Sequence, residues 1–538
     1  MPDKVQPRLP AGMRDILPTQ MIKRQYVLDT VRSVFEEFGF EPLQTPAIEL
    51  SETLLGKYGE DAERLIFKSW YGDAPSGDLS LRYDLSVPLC RVVGMYPDIP
   101  RPFKRYQIAP VWRADRPQKG RYREFFQCDV DIVGSDSMLA DAEIVAVMVA
   151  VFNRLGFSDL TISINNRKLL DGIGQYAGVP SDLQPGLYRS IDKLDKIGLE
   201  GVRRELLMVG VPAEIVQPIQ RIARLGIQGK LPLADIAKSL AEADEYKFSR
   251  DYINLLAEPL RQQVEAAIAQ KIAPGELQAA TTSLAGALAL EIRQGLGDDA
   301  AVIPVDAVNR LLDLLQVSGQ TADILDGLAA RLSGIQRAEE GIAELSALFR
   351  YLAALGVPES VCRLNFAMVR GLEYYTGPIF ETTVEKPKAM PSITGGGRYD
   401  NLIGLFSPVS YPATGTSLGI ERIIDVMDEL EMFPPDLGES TAQVLVSIFS
   451  DDTVEASLGV AALLREAGIK TSVYFGESKG LRDQIGYASA KGIPFVVVVG
   501  PDEIQKGEVA IRRLGRTAKD SQQRTVRRSE LAQTLREW

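Results

Sequence analysis

Residues 369–381 crowd reactive groups into a short span. Arg370 directly precedes Gly371, and Glu373, Tyr374 and Tyr375 stand between Gly371 and Gly377, at the edge of a strand-like run. A cation, two phenols and a carboxylate so placed can hold a small zwitterion. Arginine takes its carboxylate, and tyrosine takes a polar ring or tip. Without such a task, two adjacent aromatics on a strand put one ring in the core and one on the surface.

Three other segments carry chemistry. Residues 104–131 read as two strands, the first ending at Arg113, joined by a cationic loop containing Asp115, Arg116, Lys119, Arg121 and Arg123. The planar fork of arginine makes paired hydrogen bonds to phosphate. A cationic hairpin alone is more often a solvated loop. Residues 395–400 hold a glycine triplet, which reads as a turn. Gly419, Ile420, Glu421 and Arg422 follow at a helix start, where an arginine in isolation is a surface residue. Asp84 and Ser86 form the fourth pair, and alone they would be ordinary exposed turn chemistry.

The chain contains no histidine among 538 residues, where on the order of ten would be usual. This removes the commonest general base and metal ligand. Catalysis must run on Arg, Lys, Asp, Glu, Tyr and backbone dipoles, which suits phosphoryl or adenylyl transfer. No metal-binding residues are expected. The apolar share of 45% is ordinary for a soluble globular chain, and the length predicts about three or four domains. A net charge of -12 does not advertise a nucleic-acid binder, although binding follows local patches. Cys90, Cys128 and Cys362 are scattered, which suits a reducing cytoplasm. The start lacks the apolar core of a signal peptide, and no membrane span is expected.

These groups need elements to position them. Residues 19–40 read as an amphipathic helix stopped at Gly39, followed by an extended segment at 40–46. Strands are predicted over 105–113 and 125–133, and a helix over 138–155. From about 172 to 350 the text is helical. Strand patterns resume at 361–369 and 379–384, and a helix at about 419–429. Residues 433–440 read as a linker. Beyond it, 444–449 and 494–500 look like buried parallel strands, alternating with helices at 453–467 and 480–491.

The four segments, in this order and spacing, resemble the histidyl-tRNA synthetases among class II aminoacyl-tRNA synthetases. Residues 104–131 resemble motif 2, Gly419 to Arg422 resemble motif 3, and residues 369–375 resemble the histidine-specific signature. Thr45 to Glu49 resemble motif 1, the dimer-forming segment. Residues 190–198 resemble the insertion domain, and 441–538 resemble the anticodon-binding domain. Residues 228–320 have no recognised counterpart.

The resemblance implies an α+β catalytic domain, with an antiparallel sheet flanked by helices, split between residues 1–171 and 351–430. It implies a helical insertion at 172–350 and a C-terminal α/β anticodon-binding domain at 441–538. It implies a cytoplasmic homodimeric histidine–tRNA ligase using histidine, ATP with Mg2+, and tRNA. Asp84, Ser86 and Gln127 would hold the α-amino group. Arg370 would neutralise the carboxylate and α-phosphate, and Asp131 with Tyr374 or Tyr375 would face the imidazole. Arg113 would grip the α-phosphate, Phe125 would stack on adenine, and Asp115 would lie near its edge. Arg123 and Arg422 complete the ATP set, with Arg422 on the γ-phosphate. Ser86 departs from the usual threonine and keeps the hydroxyl. The basic residues between Lys506 and Arg528 would meet RNA phosphates.

Two rivals are a non-catalytic paralogue serving ATP phosphoribosyltransferase and an RNA-binding starvation sensor. The first usually lacks the anticodon domain and the intact signature. The ATP-contacting arginines argue against the second.

Overall fold

The computed structural model describes residues 6–57, 63–70, 72, 77–118, 120–210, 302–369, 374–387, 390–435, 437–477, 480–515 and 520–538. The chain divides into two compact units. One comprises Val34–Asp115 and Glu124–Gly419, and the other Met1–Ser33, Arg116–Arg123 and Ile420–Trp538. Among the described residues, no helix is long and apolar enough to cross a membrane.

The larger unit is built on an eight-stranded sheet. Its strands are β1 (Glu41–Pro42), β5 (Phe103–Trp112), β6 (Glu124–Val133), β7 (Leu160–Asn166), β8 (Cys362–Leu364), β9 (Pro378–Val384), β10 (Thr394–Arg398) and β11 (Ala413–Gly419). They run in the order β1-β5-β6-β11-β10-β9-β7-β8. Every pair from β5 to β7 is antiparallel. The edge pairs β1/β5 and β7/β8 are parallel. A small sheet, β2 (Ile48–Leu50), β4 (Leu79–Leu81) and β3 (Lys68–Ser69), belongs to the same unit.

The sheet has one dry face and one polar face. On the dry face the helix Met138–Arg154 buries Ile144, Val145, Met148 and Val151. Its Met148 Sδ accepts the hydroxyls of Thr394 at 3.5 Å and Thr416 at 3.3 Å. Its start is capped by Ser137, whose hydroxyl accepts the Leu139 N–H at 3.2 Å. Alternation along the strands then sends Arg105, Gln107, Gln127, Asp129 and Asp131 to the opposite face. Helices Arg167–Ala177, Gln184–Ile191, Leu194–Leu207, Val305–Leu314, Thr321–Arg331 and Gln336–Ala354 account for most described residues between 167 and 354.

Two local expectations need correction. The glycine triplet is not a turn but the interior of β10, paired on both sides. A Cβ at Gly396 would meet the Gly415 carbonyl at 2.3 Å, and one at Gly397 the Pro378 carbonyl at 2.6 Å. The triplet therefore answers to close packing by distant strands rather than to chain reversal. The strand expected over 361–369 is only the three residues of β8.

The smaller unit carries a five-stranded sheet ordered β13-β12-β14-β15-β16. Its strands are β12 (Val444–Val446), β13 (Thr471–Val473), β14 (Phe495–Val498), β15 (Glu508–Arg513) and β16 (Gln522–Arg527). The first three run parallel, and β15 and β16 add an antiparallel hairpin. Val446, Val497 and Ile511 pack with Val460 and Leu464 of the helix Val454–Glu466 and with Leu531 of the helix Leu531–Glu537. Leu445 and Val496 pack on the other side with Ala488 of the helix Leu481–Ala490.

Candidate active site

The polar face of the large sheet gathers buried charge. Arg105 is fully buried, and its Nη2 lies 2.8 Å from Asp131 Oδ2. The same nitrogen donates to the Leu85 carbonyl at 3.2 Å. The Tyr399 hydroxyl donates to the other Asp131 oxygen. Asp129 and Asp84 are also buried.

Burial, aided by the neighbouring Asp131 and Asp84 and opposed by Arg105, pushes the Asp129 carboxyl up to about 7. Burial raises Asp131 as well, while Arg105 and the Tyr399 hydroxyl draw it back. Among the described residues the three carboxylates thus outnumber the guanidinium of Arg105 that faces them, so this face favours a cationic guest.

The floor is made of glycine. Asp131 pairs with Gly415 across β6 and β11, and Gly415 pairs with Gly397 across β11 and β10. Tyr375 lies against Gly397, where an added Cβ would stand 3.0 Å from its ring. Tyr374 and Tyr375 meet edge to face at 5.0 Å, and Tyr374 meets Tyr399 at 6.0 Å. Burial drives the Tyr374 phenol well above its ordinary value, against a lowering hydrogen bond with Ser86. All three rings therefore stay neutral and can donate.

A second cluster sits further along the hairpin. Asp84 Oδ1 accepts the Val87 N–H at 3.1 Å, ordering the start of the helix Ser86–Met95. Asp84 is therefore buried rather than an exposed turn residue. Arg113 donates Nε to the Tyr83 carbonyl at 3.1 Å. Its guanidinium lies 4.3 Å from the Tyr83 ring centre and 5.2 Å from that of Phe125. Phe125 itself rests on Leu85, Ala109 and Val111. An arginine beside a supported aromatic ring is a platform for a flat base bearing a phosphate. Gln127 donates Nε2 to Ser417 Oγ at 2.8 Å. Asp115, half-buried, ends this part of the unit.

Asp84, Ser86, Arg113, Phe125, Gln127, Asp131, Tyr374 and Tyr375 thus belong to one unit and surround its polar face. Arg123 and Arg422 belong to the other unit. There Arg123 donates to the Ala11 carbonyl at 3.2 Å, and Arg422 Nε donates to the Gly120 carbonyl at 3.1 Å. Arg370 lies outside the described residues. Among the described residues no group of three or more Cys, Asp or Glu side chains is arranged to hold a metal ion.

Four residues of the polar face were not singled out in the sequence: Arg105, Asp129, Tyr399 and Ser417. The period-two pattern offered a signal for the first two, because Arg105 and Asp129 share parity with Gln127 and Asp131. Ser417 reaches this face through the pairing of β11 with β6, and Tyr399 directly follows β10, the next strand beyond β11; no local pattern reveals either.

The profile of the histidyl-tRNA synthetase family matches residues 12–280 and 268–423, and that of an anticodon-binding domain matches 443–538. A histidine–tRNA ligase of Gloeobacter violaceus is 37% identical over 532 residues, covering 94% of this chain and 93% of that one. One of Phocaeicola vulgatus is 34% identical, covering 94% and 95%. The crystal structure of histidyl-tRNA synthetase from a Nostoc species superposes with a TM-score of 0.71 at 26% identity, covering 99% of this chain and 100% of that one. Its sheet topology, its polar face and these matches together make this chain a member of the histidyl-tRNA synthetase family.

Proposed function

We propose that this histidine–tRNA ligase binds histidine on the polar face of the large sheet, between Asp131 and Gln127. The observation that carries the reading is the buried Arg105–Asp131–Tyr399 cluster. A neutral imidazole presents one donor and one acceptor. A carboxylate and a neutral phenol can pair both nitrogens. An apolar isostere would leave the acid buried without its ligand and would be rejected.

In this reading Asp84, Ser86 and Gln127 hold the ammonium group, and Tyr374 and Tyr375 close the ring pocket. The substrate carboxylate attacks the α-phosphorus of ATP, and pyrophosphate leaves. Arg113 stabilises charge along that in-line displacement, with Phe125 beneath adenine and Asp115 at its edge. Arg370, Arg123 and Arg422 are assigned to the carboxylate and the phosphates on their motif positions. The 3′-terminal hydroxyl of tRNA then attacks the adenylate carbonyl, releasing AMP. Mg2+ bound to the triphosphate would neutralise part of the phosphate charge.

We further assign a homodimer, tRNA contact through the C-terminal unit, and a cytoplasmic setting. Ile48, Leu50 and Trp70 stand exposed on or beside the small sheet, an apolar edge suited to a second copy. Arg513, Arg524 and Arg527 stand exposed on the β15–β16 hairpin. Arg524 lies 4.4 Å from the Trp538 ring centre, an arginine–aromatic pair that suits RNA. The three cysteines are buried and form no disulfide among the described residues, as a reducing compartment allows.

The test is ATP–pyrophosphate exchange by purified protein with each of the twenty amino acids. Exchange with histidine alone supports the reading. No exchange with any amino acid, in folded protein that still binds ATP, would favour a non-catalytic paralogue.

A further inference from the structure

Asp129 and Ser417 face each other directly across β6 and β11. Gln127 is two residues from Asp129 on the same face, and its Nε2 donates to Ser417 Oγ at 2.8 Å. The Ser417 hydroxyl faces the Asp129 carboxyl and draws it down. A serine hydroxyl has one hydrogen to give. With a cation bound beside it Asp129 is ionised, and an ionised carboxylate can only accept, so that hydrogen goes to Asp129. Ser417 is then left with lone pairs, and Gln127 must present its NH2 group to them. The amide oxygen is thereby turned the other way.

That oxygen, Gln127 Oε1, is buried and accepts no hydrogen bond among the described residues, and the same holds for Asp129 Oδ1. Gln127 is only 8% exposed. Two buried acceptors without donors are costly unless a ligand supplies the donors. An ammonium group brings three. Arg105, Asp131 and Asp84 complete the charged surroundings of Asp129, and a bound cation there favours its ionised form.

We infer that Asp129 and Ser417 are positioning residues that turn the Gln127 carbonyl toward the ammonium group of the amino-acid substrate. The inference rests on the function proposed above. It adds a mechanism of orientation: the carboxylate fixes the serine hydrogen, and the serine fixes the amide. Replacing Ser417 by alanine frees the amide to rotate. Replacing Asp129 by asparagine removes the charge that dictates the direction of the relay.

The experiment is histidine-dependent ATP–pyrophosphate exchange by the full chain and four variants, with a melting curve for each. Ser417→Ala and Asp129→Asn should each raise the histidine KM about tenfold, the loss of roughly one charge-assisted hydrogen bond. The ATP KM should stay within about twofold. Ser417→Thr, which keeps the hydroxyl, should recover most of the histidine affinity. The double variant should be no worse than either single one, because the two residues act as one unit. An unchanged histidine KM in both single variants overturns the inference. So does a parallel rise in the histidine and ATP KM with a lowered melting temperature, which would mark a structural role only. A parent chain without histidine-dependent exchange would remove the functional reading and this inference together, whereas an active parent with unaffected variants removes the inference alone.

Discussion

A Cβ placed on Gly415 would stand 2.0 Å from Asp131 Oδ1. The carboxylate thus lies flat across its partner strand, in space that only a glycine leaves open. Its oxygens are held there by Arg105 and Tyr399. Gly415→Ala should push the carboxylate off this floor. Overpacking of this kind costs about 1–3 kcal/mol. The expected result is a lower melting temperature and at least about a tenfold loss of histidine-dependent exchange. Wild-type exchange in that variant would show that the position of Asp131 does not matter to the reaction.

Tyr399 is the residue whose removal should most cleanly report on ring recognition. Tyr399→Phe deletes one hydrogen bond to a buried carboxylate and little else, a loss of about 1.5–3 kcal/mol. The histidine KM should rise by about ten- to a hundredfold, with the ATP KM unchanged. Asp131→Asn should act in the same direction and should also weaken discrimination against histidine analogues lacking a ring nitrogen. Steady-state exchange with histidine and such an analogue measures both. Equal losses for the two ligands would speak against Asp131 as the ring partner.

Asp129 gives the fold a distinctive pH dependence. Its carboxyl rises from 3.8 to about 7 on burial. Between those values the folded chain keeps a proton that the unfolded chain has released. Its contribution to stability is therefore greatest at acidic pH and falls as pH rises through that window. Asp129→Asn has no such proton. The variant should melt higher than the parent at pH 8, and the difference should shrink by pH 5. Melting curves at the two pH values decide it, and a pH-independent difference would contradict the raised carboxyl. A variant that is stabilised yet binds histidine poorly would separate function from folding at this site.

Arg113 and Phe125 should divide the work on ATP. Phe125→Ala removes a stacking face worth about 1–3 kcal/mol, so the ATP KM should rise with little change in kcat. Arg113→Ala removes charge stabilisation at the reacting phosphate. A fall in kcat of about a hundredfold or more is expected. Exchange assays over a range of ATP concentrations distinguish the two patterns.

Much of the fold could be read locally. Strands β5 and β6, the helix Met138–Arg154 and the alternating units after residue 441 follow from hydrophobic period and turn residues. What escaped depended on partners far along the chain. Gly395, Gly396 and Gly397 signal a turn to any local reading, yet the crowding that requires glycine comes from β9 and β11. Asp84 looked exposed because its burial follows from packing of the whole unit. The segment 369–375 showed which residue types matter, but Tyr399 was visible only once β6, β11 and β10 lay side by side. Ser417 gained meaning only from its pairing with Asp129.

The chain has no imidazole of its own. In a complex with histidine, every imidazole proton signal would therefore come from the ligand. Arg105, Asp131 and Tyr399 set the field in which that ring titrates. The molecule thus supplies its own spectroscopic blank, and the protonation state of the guest could be followed directly against pH.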